Sequence, residues 1–398
     1  MLPTIVELLK IAPYRRLVIG ATLFAFGQWM ERIAIGWFVF DTTGSVFLTA
    51  LAWSVRTIPN LVFGPVGGAI ADRYSRSRVL ALNASFRACV VLAMAALVVF
   101  WSGAVVPLLF LVAMSGVTMS VQLASLQSLA AALAGPEKMG SAVSFVSFCQ
   151  RAVGALGVLA SGFLIAFVGA AETFALASIP LVIAAIVFWL VASRSSSSRE
   201  KRLLSEVADG LRVLYQVPIV GQLLGLMVFA EVLGFSYSAL MPVIAKETLQ
   251  QGSEGLGMLM SAGAVGSLFG VGLLTYPAMH ARRGLLLLSI VSLFGVLVVL
   301  LALSRDFITS LIVVTVIGGV TAMIDALEWT LLQANVRDEL RGRVLGAWNM
   351  AIGMGWLGPV AIGAAADVIG VSNALSISGL MLFVVGVAAF ASRGLRTA

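Results

Sequence analysis

Charge is scarce in this chain. Of its 398 residues 11% are Asp, Glu, Lys or Arg and 60% are hydrophobic, whereas a soluble domain carries about 25% charged residues. That deficit excludes a water-soluble globule. Cysteine is nearly absent: Cys89 and Cys149 both lie inside apolar runs and offer neither a disulfide framework nor metal-ligand spacing. The single histidine, His280, sits in a loop beside Arg282 and Arg283, so it has no second histidine to share a metal with. No Gly-x-x-x-x-Gly-Lys-Ser/Thr is present, which removes the phosphate cradle of an ATPase. No nucleophile is accompanied by a base. Neither an enzyme, a cofactor nor a metal site is therefore expected, and any work must draw on a gradient. The net charge of +7 would point to nucleic acid in a soluble protein. Here the basic residues fall in short loops, where they set topology, and no nucleic-acid partner is expected.

What the chain does have is long apolar runs. They predict an all-α polytopic membrane protein embedded in the lipid bilayer, with twelve helices at 17–40, 46–71, 79–101, 105–134, 140–168, 172–192, 218–245, 255–278, 284–303, 307–334, 342–366 and 372–391. Each is long enough for a hydrocarbon layer of about 30 Å. Residues 1–14 form a short amphipathic lead, and the run that follows is too long for a cleaved signal peptide. Counting alternate loops from a cytoplasmic N-terminus puts 19 lysines and arginines on the cytoplasmic side and two, Lys246 and Arg305, on the other. That split favours an even number of spans with both termini in the cytoplasm.

One long hydrophilic interruption, 193–217, divides the spans into two sets of six: a half at 1–192 and a half at 218–398. It opens serine-rich and charged, as a linker does, and Leu203, Leu204, Val207, Leu211 and Leu214 then recur at helical spacing, as in a surface helix. A weak repeat links the halves. Span four ends around Leu126-Gln127 and span ten around Leu332-Gln333, each followed by a charged turn and a glycine-studded helix.

Ionisable residues at membrane depth are costly and mark function or pairing. There are eight: Glu31, Arg32, Arg56, Arg87, Arg151, Glu231, Asp325 and Glu328. Four acids and four bases permit complete internal pairing. Buried ion pairs of this kind lock helices together, and that structural role is expected of Arg87 and Arg151, which lie near the cytoplasmic ends of their spans where long side chains snorkel. Glu31 and Glu231 fall at similar depths in spans one and seven, while Asp325 and Glu328, three residues apart, share a face of span ten. Counting back from Gln127 and Gln333 aligns Gln122 with Glu328. Two neighbouring carboxyls in a low dielectric resist ionising together, so such a pair is suited to carrying a proton. Binding a cationic or polar group of a substrate is the alternative role. Glycines at Gly154 and Gly157 in span five, and Gly358-Pro359 in span eleven, allow close helix approach and a bend.

The hairpin Gly68-Ala-Ile-Ala-Asp72-Arg73-Tyr-Ser-Arg76-Ser-Arg78 resembles the signature loop of the major facilitator superfamily, with Ser75 and Ser77 as departures. Gln28, Asp41-Thr-Thr-Gly44-Ser45, Pro59 and Gly64-Pro65 resemble its enterobactin-exporter and macrolide-efflux branch. The resemblance implies two pseudo-symmetric halves, a monomer in a bacterial inner membrane, and alternating access driven by protons. It makes Gly68, Asp72, Arg73, Arg76 and Arg78 gating residues. It also directs Gln28, Glu31, Arg32, Gln122, Glu231, Asp325 and Glu328 to a central cavity for substrate or proton. Efflux of a hydrophobic or siderophore-like molecule is the leading expectation. Import of such a molecule and a non-transporting sensor or scaffold are the alternatives.

Overall fold

The computed structural model describes residues 2–101, 103–191, 217–274, 282–336 and 341–397, excepting the side chains of 2–3, 60–73, 120, 341–343, 345–346 and 349. Among them the chain is helical with no strand. Lipid offers the backbone no hydrogen bonds, so long apolar runs close their own as helices. A short α1 (Leu2–Lys10) precedes α2 (Ala12–Thr43), α3 (Val46–Arg73), α4 (Arg76–Phe100), α5 (Val105–Ala134), α6 (Met139–Val168) and α7 (Ala170–Trp189). The second set is less regular. Helix α8 (Pro218–Phe229) passes into a π turn (Ala230–Gly234), then α9 (Tyr237–Val243) and a second π turn (Ile244–Thr248). Then come α10 (Ser253–Leu273), α11 (Arg283–Leu303) and α12 (Phe307–Ala334). Helix α13 (Arg341–Gly353) is joined by a 3-10 turn (Met354–Trp356) to α14 (Leu357–Ile369), followed by α15 (Val371–Ala389) and α16 (Arg393–Thr397).

Among the described residues ten helices are long and apolar enough to cross a membrane. Helices α2 and α3, at 32 and 28 residues, are of comparable length, α3 holding a shorter apolar stretch at Val46–Pro59. The outward-facing side chains agree: Phe100, Phe167 and Val106 are 88%, 80% and 77% exposed. Such a surface would aggregate in water and costs nothing against lipid tails. This is a multi-pass integral membrane protein. The linker helix expected at 203–215 lies outside the described residues.

The backbone separates into two compact units, one of Met1–Thr42 and Val55–Lys201, the other of Thr43–Ser54 and Arg202–Ala398. Within the first, α4 runs along α7 and α5; within the second, α11 runs along α15 and α12 in the same relation. Single glycines turn the equivalent hairpins α6–α7 and α14–α15: Gly169 at φ 97° and Gly370 at φ 84°. A Cβ in that left-handed region costs about 1–2 kcal/mol. Early in the second unit, Gly44 (φ 62°) turns the chain into α3, where Ser45 Oγ accepts the Leu48 N–H at 3.1 Å as a cap.

Candidate functional site

The polar interior of the first unit is a network on α2, α4 and α5. Arg87, which stands on α4 among the largest fully buried side chains, donates from Nε to Glu31 Oε2 of α2 at 2.8 Å, with both side chains 0% exposed. Its Nη1 donates to Thr118 Oγ1 at 2.8 Å on α5, and Ser115 Oγ donates to the other Glu31 oxygen at 2.5 Å. Asn83, one turn before Arg87, donates to Gln122 Oε1 at 2.8 Å and the Thr118 carbonyl at 3.2 Å. Ser115, Thr118 and Gln122 on α5, at helical spacing, thus face Asn83 and Arg87 on α4.

The structural role expected of Arg87 is thus a buried ion pair between helices, not a side chain that snorkels to the surface. A long side chain reaches the surface only if no closer partner holds it, and here a carboxylate does. Arg151, by contrast, is exposed. Arg32 stacks over the Trp29 ring at 4.6 Å, and that indole lies against Gly154 of α6, where an added methyl would come within 2.6 Å of it. At Gly157 a methyl would lie 2.6 Å from the Phe26 carbonyl oxygen. These two glycines therefore seat α6 against α2. Gln28 is partly buried beside them in sequence.

In the second unit Glu231 stands in the π turn Ala230–Gly234. A π turn widens the helix and displaces carbonyls from their usual donors. Two hydroxyls take them up: Ser236 Oγ donates to Val232 O at 2.6 Å and Ser378 Oγ, from α15, to Leu233 O at 2.7 Å. Against this turn lies the 3-10 break before α14, where a methyl at Gly355 would sit 2.9 Å from Glu231 Oε2. Gly358 abuts Val232 O and Ser236 Oγ. Pro359 follows within the first turn of α14, where its missing N–H is no loss. Ser54 Oγ, from the start of α3, donates to the Trp356 carbonyl at 2.8 Å. Two interrupted helices therefore meet at one carboxylate, and interrupted membrane helices are where transporter sites occur.

Glu231 has two acidic neighbours on α12. Glu328 is 1% exposed, and neither of its carboxyl oxygens has a hydrogen-bond partner. It interacts electrostatically with both Asp325 and Glu231. Complete internal pairing, which the numbers of acids and bases permit, is thus not realised: the first unit pairs Glu31 with Arg87, and the second gathers three acids.

Helices α5 (Val105–Ala134) and α12 (Phe307–Ala334) keep the expected bounds, whereas α2 starts at Ala12, ahead of Arg15 and Arg16, and the seventh span runs on through its two π turns to Thr248.

The hairpin between α3 and α4 turns at Tyr74–Ser75. Arg76 Nη1 donates to the Ser128 carbonyl of α5 at 3.5 Å, and Arg78 is exposed. The surroundings of Gly68 and the side chains of Asp72 and Arg73 lie outside what the structure describes.

Helical spans with charges buried among them define a polytopic α-helical membrane protein. Residues 17–357 match the Major Facilitator Superfamily, and the chain belongs to that family. It is 25% identical over 368 residues to the Staphyloferrin A transporter of Staphylococcus aureus (strain NCTC 8325 / PS 47), covering 90% of each chain. It is 26% identical over 357 residues to the Enterobactin exporter EntS of Escherichia coli O81 (strain ED1a), covering 85% of this chain and 83% of that protein. Solved structures show the same fold: a point mutant of the nucleoside transporter NupG, at TM-score 0.75 and 14% identity, covering 95% of this chain and 99% of that one; and a D-xylose–proton symporter at TM-score 0.72 and 15% identity, covering 97% of each.

Proposed function

We propose that the chain is a monomeric, proton-coupled exporter of a siderophore-like or amphipathic small molecule. It works by alternating access in a bacterial cytoplasmic membrane, with twelve spans in two halves, 1–192 and 218–398, joined by 193–217, and both termini in the cytoplasm. The relatives' names support the substrate class, one being a staphyloferrin A transporter and another an enterobactin exporter. Coupling is assigned to Glu328 with Asp325 and Glu231. The observation that carries this is Glu328 itself: a carboxyl buried to 1% exposure, with both oxygens unpartnered, beside two more acids. A buried carboxylate without partners costs several kcal/mol, whereas a group that takes and releases a proton in each cycle has reason to be so placed. Glu31, held by Arg87 and Ser115, is assigned a structural role. Arg76 and Arg78, with Gly68, Asp72 and Arg73, are assigned to gating.

Proteoliposomes holding a pH-sensitive dye test this. With siderophores added under an imposed proton gradient, wild type is expected to move protons only when substrate is present, and Glu328→Gln to lose that movement. Proton movement unchanged in Glu328→Gln would remove the acid cluster from the mechanism. Substrate moving in the same direction as protons would turn the reading from export to import.

A further inference from the structure

The first unit holds a surplus of buried hydrogen-bond donors that the Glu31–Arg87 pair leaves unused. Arg56, on α3, is 6% exposed, and its Nε and Nη1 have no hydrogen-bond partner. Arg87 Nη2 and Gln122 Nε2 are likewise buried without partners. These groups lie together. The backbone of Arg56 packs against Gly116 of α5, where any added methyl would strike the Arg56 carbonyl. Gly116 falls between Ser115 and Thr118, the residues that hold Glu31 and Arg87. Arg56 also interacts electrostatically with both Arg87 and Glu31.

Among the described residues, two arginines against one carboxylate leave one positive charge unneutralised. A buried charge without a counter-charge costs several kcal/mol, and each buried unpaired donor costs about 1–3 kcal/mol more. Glu31, the carboxylate that faces both arginines, is bonded by Arg87 at one oxygen and Ser115 at the other, and its single charge is matched by Arg87. What would balance the surplus is one negative charge with several acceptor sites. A carboxylate presents about four, and the four unpartnered donor atoms of this group are Arg56 Nε and Nη1, Arg87 Nη2 and Gln122 Nε2. Arginine is the side chain best suited to such planar recognition.

We propose that Arg56, with Arg87 and Gln122, forms a carboxylate-binding site in the first unit, and that it recognises an acidic group of the transported molecule. The site assigns the substrate class as a carboxylate-bearing compound; its role in transport rests on the exporter reading above, but its existence does not. Arg56 is the binding residue free to act, Arg87 serves both the ion pair and the site, and Asn83 positions Gln122 by occupying its oxygen and so turning its amide nitrogen to the ligand.

Binding without a gradient tests this separately from proton coupling. Purified full-length protein in lipid nanodiscs is titrated with acetate, benzoate and tricarballylate, each against its neutral methyl ester, and with sodium chloride and inorganic phosphate, following thermal unfolding. At least one carboxylate, and not its ester, is expected to raise the unfolding midpoint of wild type. Arg56→Gln is expected to weaken that apparent affinity tenfold or more while leaving the unliganded midpoint at or above that of wild type, because it removes an uncompensated buried charge. Arg56→Lys, which keeps the charge but not the planar donors, is expected to fall between them. The proposal is overturned if no carboxylate stabilises wild type, if chloride or phosphate does so equally well, or if Arg56→Gln responds as wild type does. Carboxylate binding with no substrate-driven proton movement would overturn the exporter reading and leave the site standing.

Discussion

Glu31→Gln is the sharpest structural perturbation available. The substitution keeps the side-chain volume and leaves Ser115 an oxygen to bond, but it strips the charge from a fully buried ion pair. At the observed 2.8 Å and an effective dielectric of about 20, the attraction between Glu31 and Arg87 is about 6 kcal/mol. Desolvation offsets much of that while the pair is intact. Breaking it leaves Arg87 buried and uncompensated beside Arg56, and such losses measure about 3–5 kcal/mol. At about 1.4 kcal/mol per decade, the unfolding equilibrium shifts by between roughly a hundredfold and a few thousandfold. Reversible unfolding in mild detergent would read it directly. The double variant Glu31→Gln/Arg87→Met removes both charges and is expected to recover most of the loss, because replacing a buried pair by matched neutral groups is often close to neutral. The reasoning is refuted if Glu31→Gln costs less than about 1 kcal/mol, or if the double variant is as unstable as the single.

Other outcomes follow from the same contacts. Gly157→Ala forces a methyl to within 2.6 Å of the Phe26 carbonyl oxygen and is expected to cost about 1–3 kcal/mol by overpacking, read as a lowered unfolding midpoint. Ser378→Ala removes the hydroxyl bonded to the Leu233 carbonyl of the π turn; a loss of about 1 kcal/mol should come with faster hydrogen exchange around 230–234. Outside the membrane, Lys138 bonds Glu7 at 2.5 Å and holds its carboxyl below the usual value of 4.5. A depressed carboxyl stabilises above its unfolded value and loses that contribution as pH falls through the folded one. Acidifying from neutral to below pH 4.5 should therefore release α1 from the start of α6, seen as increased mobility of a spin label on α1, with Lys138→Ala already released at neutral pH. Asp306 caps α12 by accepting the Thr309 N–H at 2.8 Å, and that bond holds its carboxyl below the usual 3.8. Asp306→Asn should keep the cap and make the protection of the Thr309 amide, taken relative to its intrinsic exchange rate, insensitive to acid.

The spans were legible because lipid imposes one rule, a long uncharged run, and the expected bounds 105–134 and 307–334 coincide with α5 and α12. Helix ends were less legible where polar residues continue the helix past the apolar run, as Arg15 and Arg16 do in α2. The candidate acids stood out for a similar reason, each being an expensive residue in an apolar setting. Their partners did not. Glu31 and Arg87 are 56 residues apart in the chain, and nothing local distinguishes Arg87 from an arginine that reaches the surface. The π turn at Glu231 depends on hydroxyls from Ser236 and from Ser378, 145 residues away from its carbonyl partner, so no window of sequence contains it. Serine and threonine at Ser115 and Thr118, on one face of α5 with Gln122, were the missed signal for the first unit's network. The resemblance drawn from the signature hairpin reached the right family, and its siderophore branch agrees with the relatives found.

The account's central claim divides labour: the acids of the second unit handle the proton, and the arginines of the first hold the substrate. Isotope exchange separates the two in one preparation. Proteoliposomes loaded with unlabelled substrate are given labelled substrate outside, without a proton gradient, and then with one. Glu328→Gln is expected to exchange label at close to the wild-type rate yet fail to accumulate it against a gradient, while Arg56→Gln loses both. If Glu328→Gln loses exchange and accumulation together, or keeps both, the division is wrong.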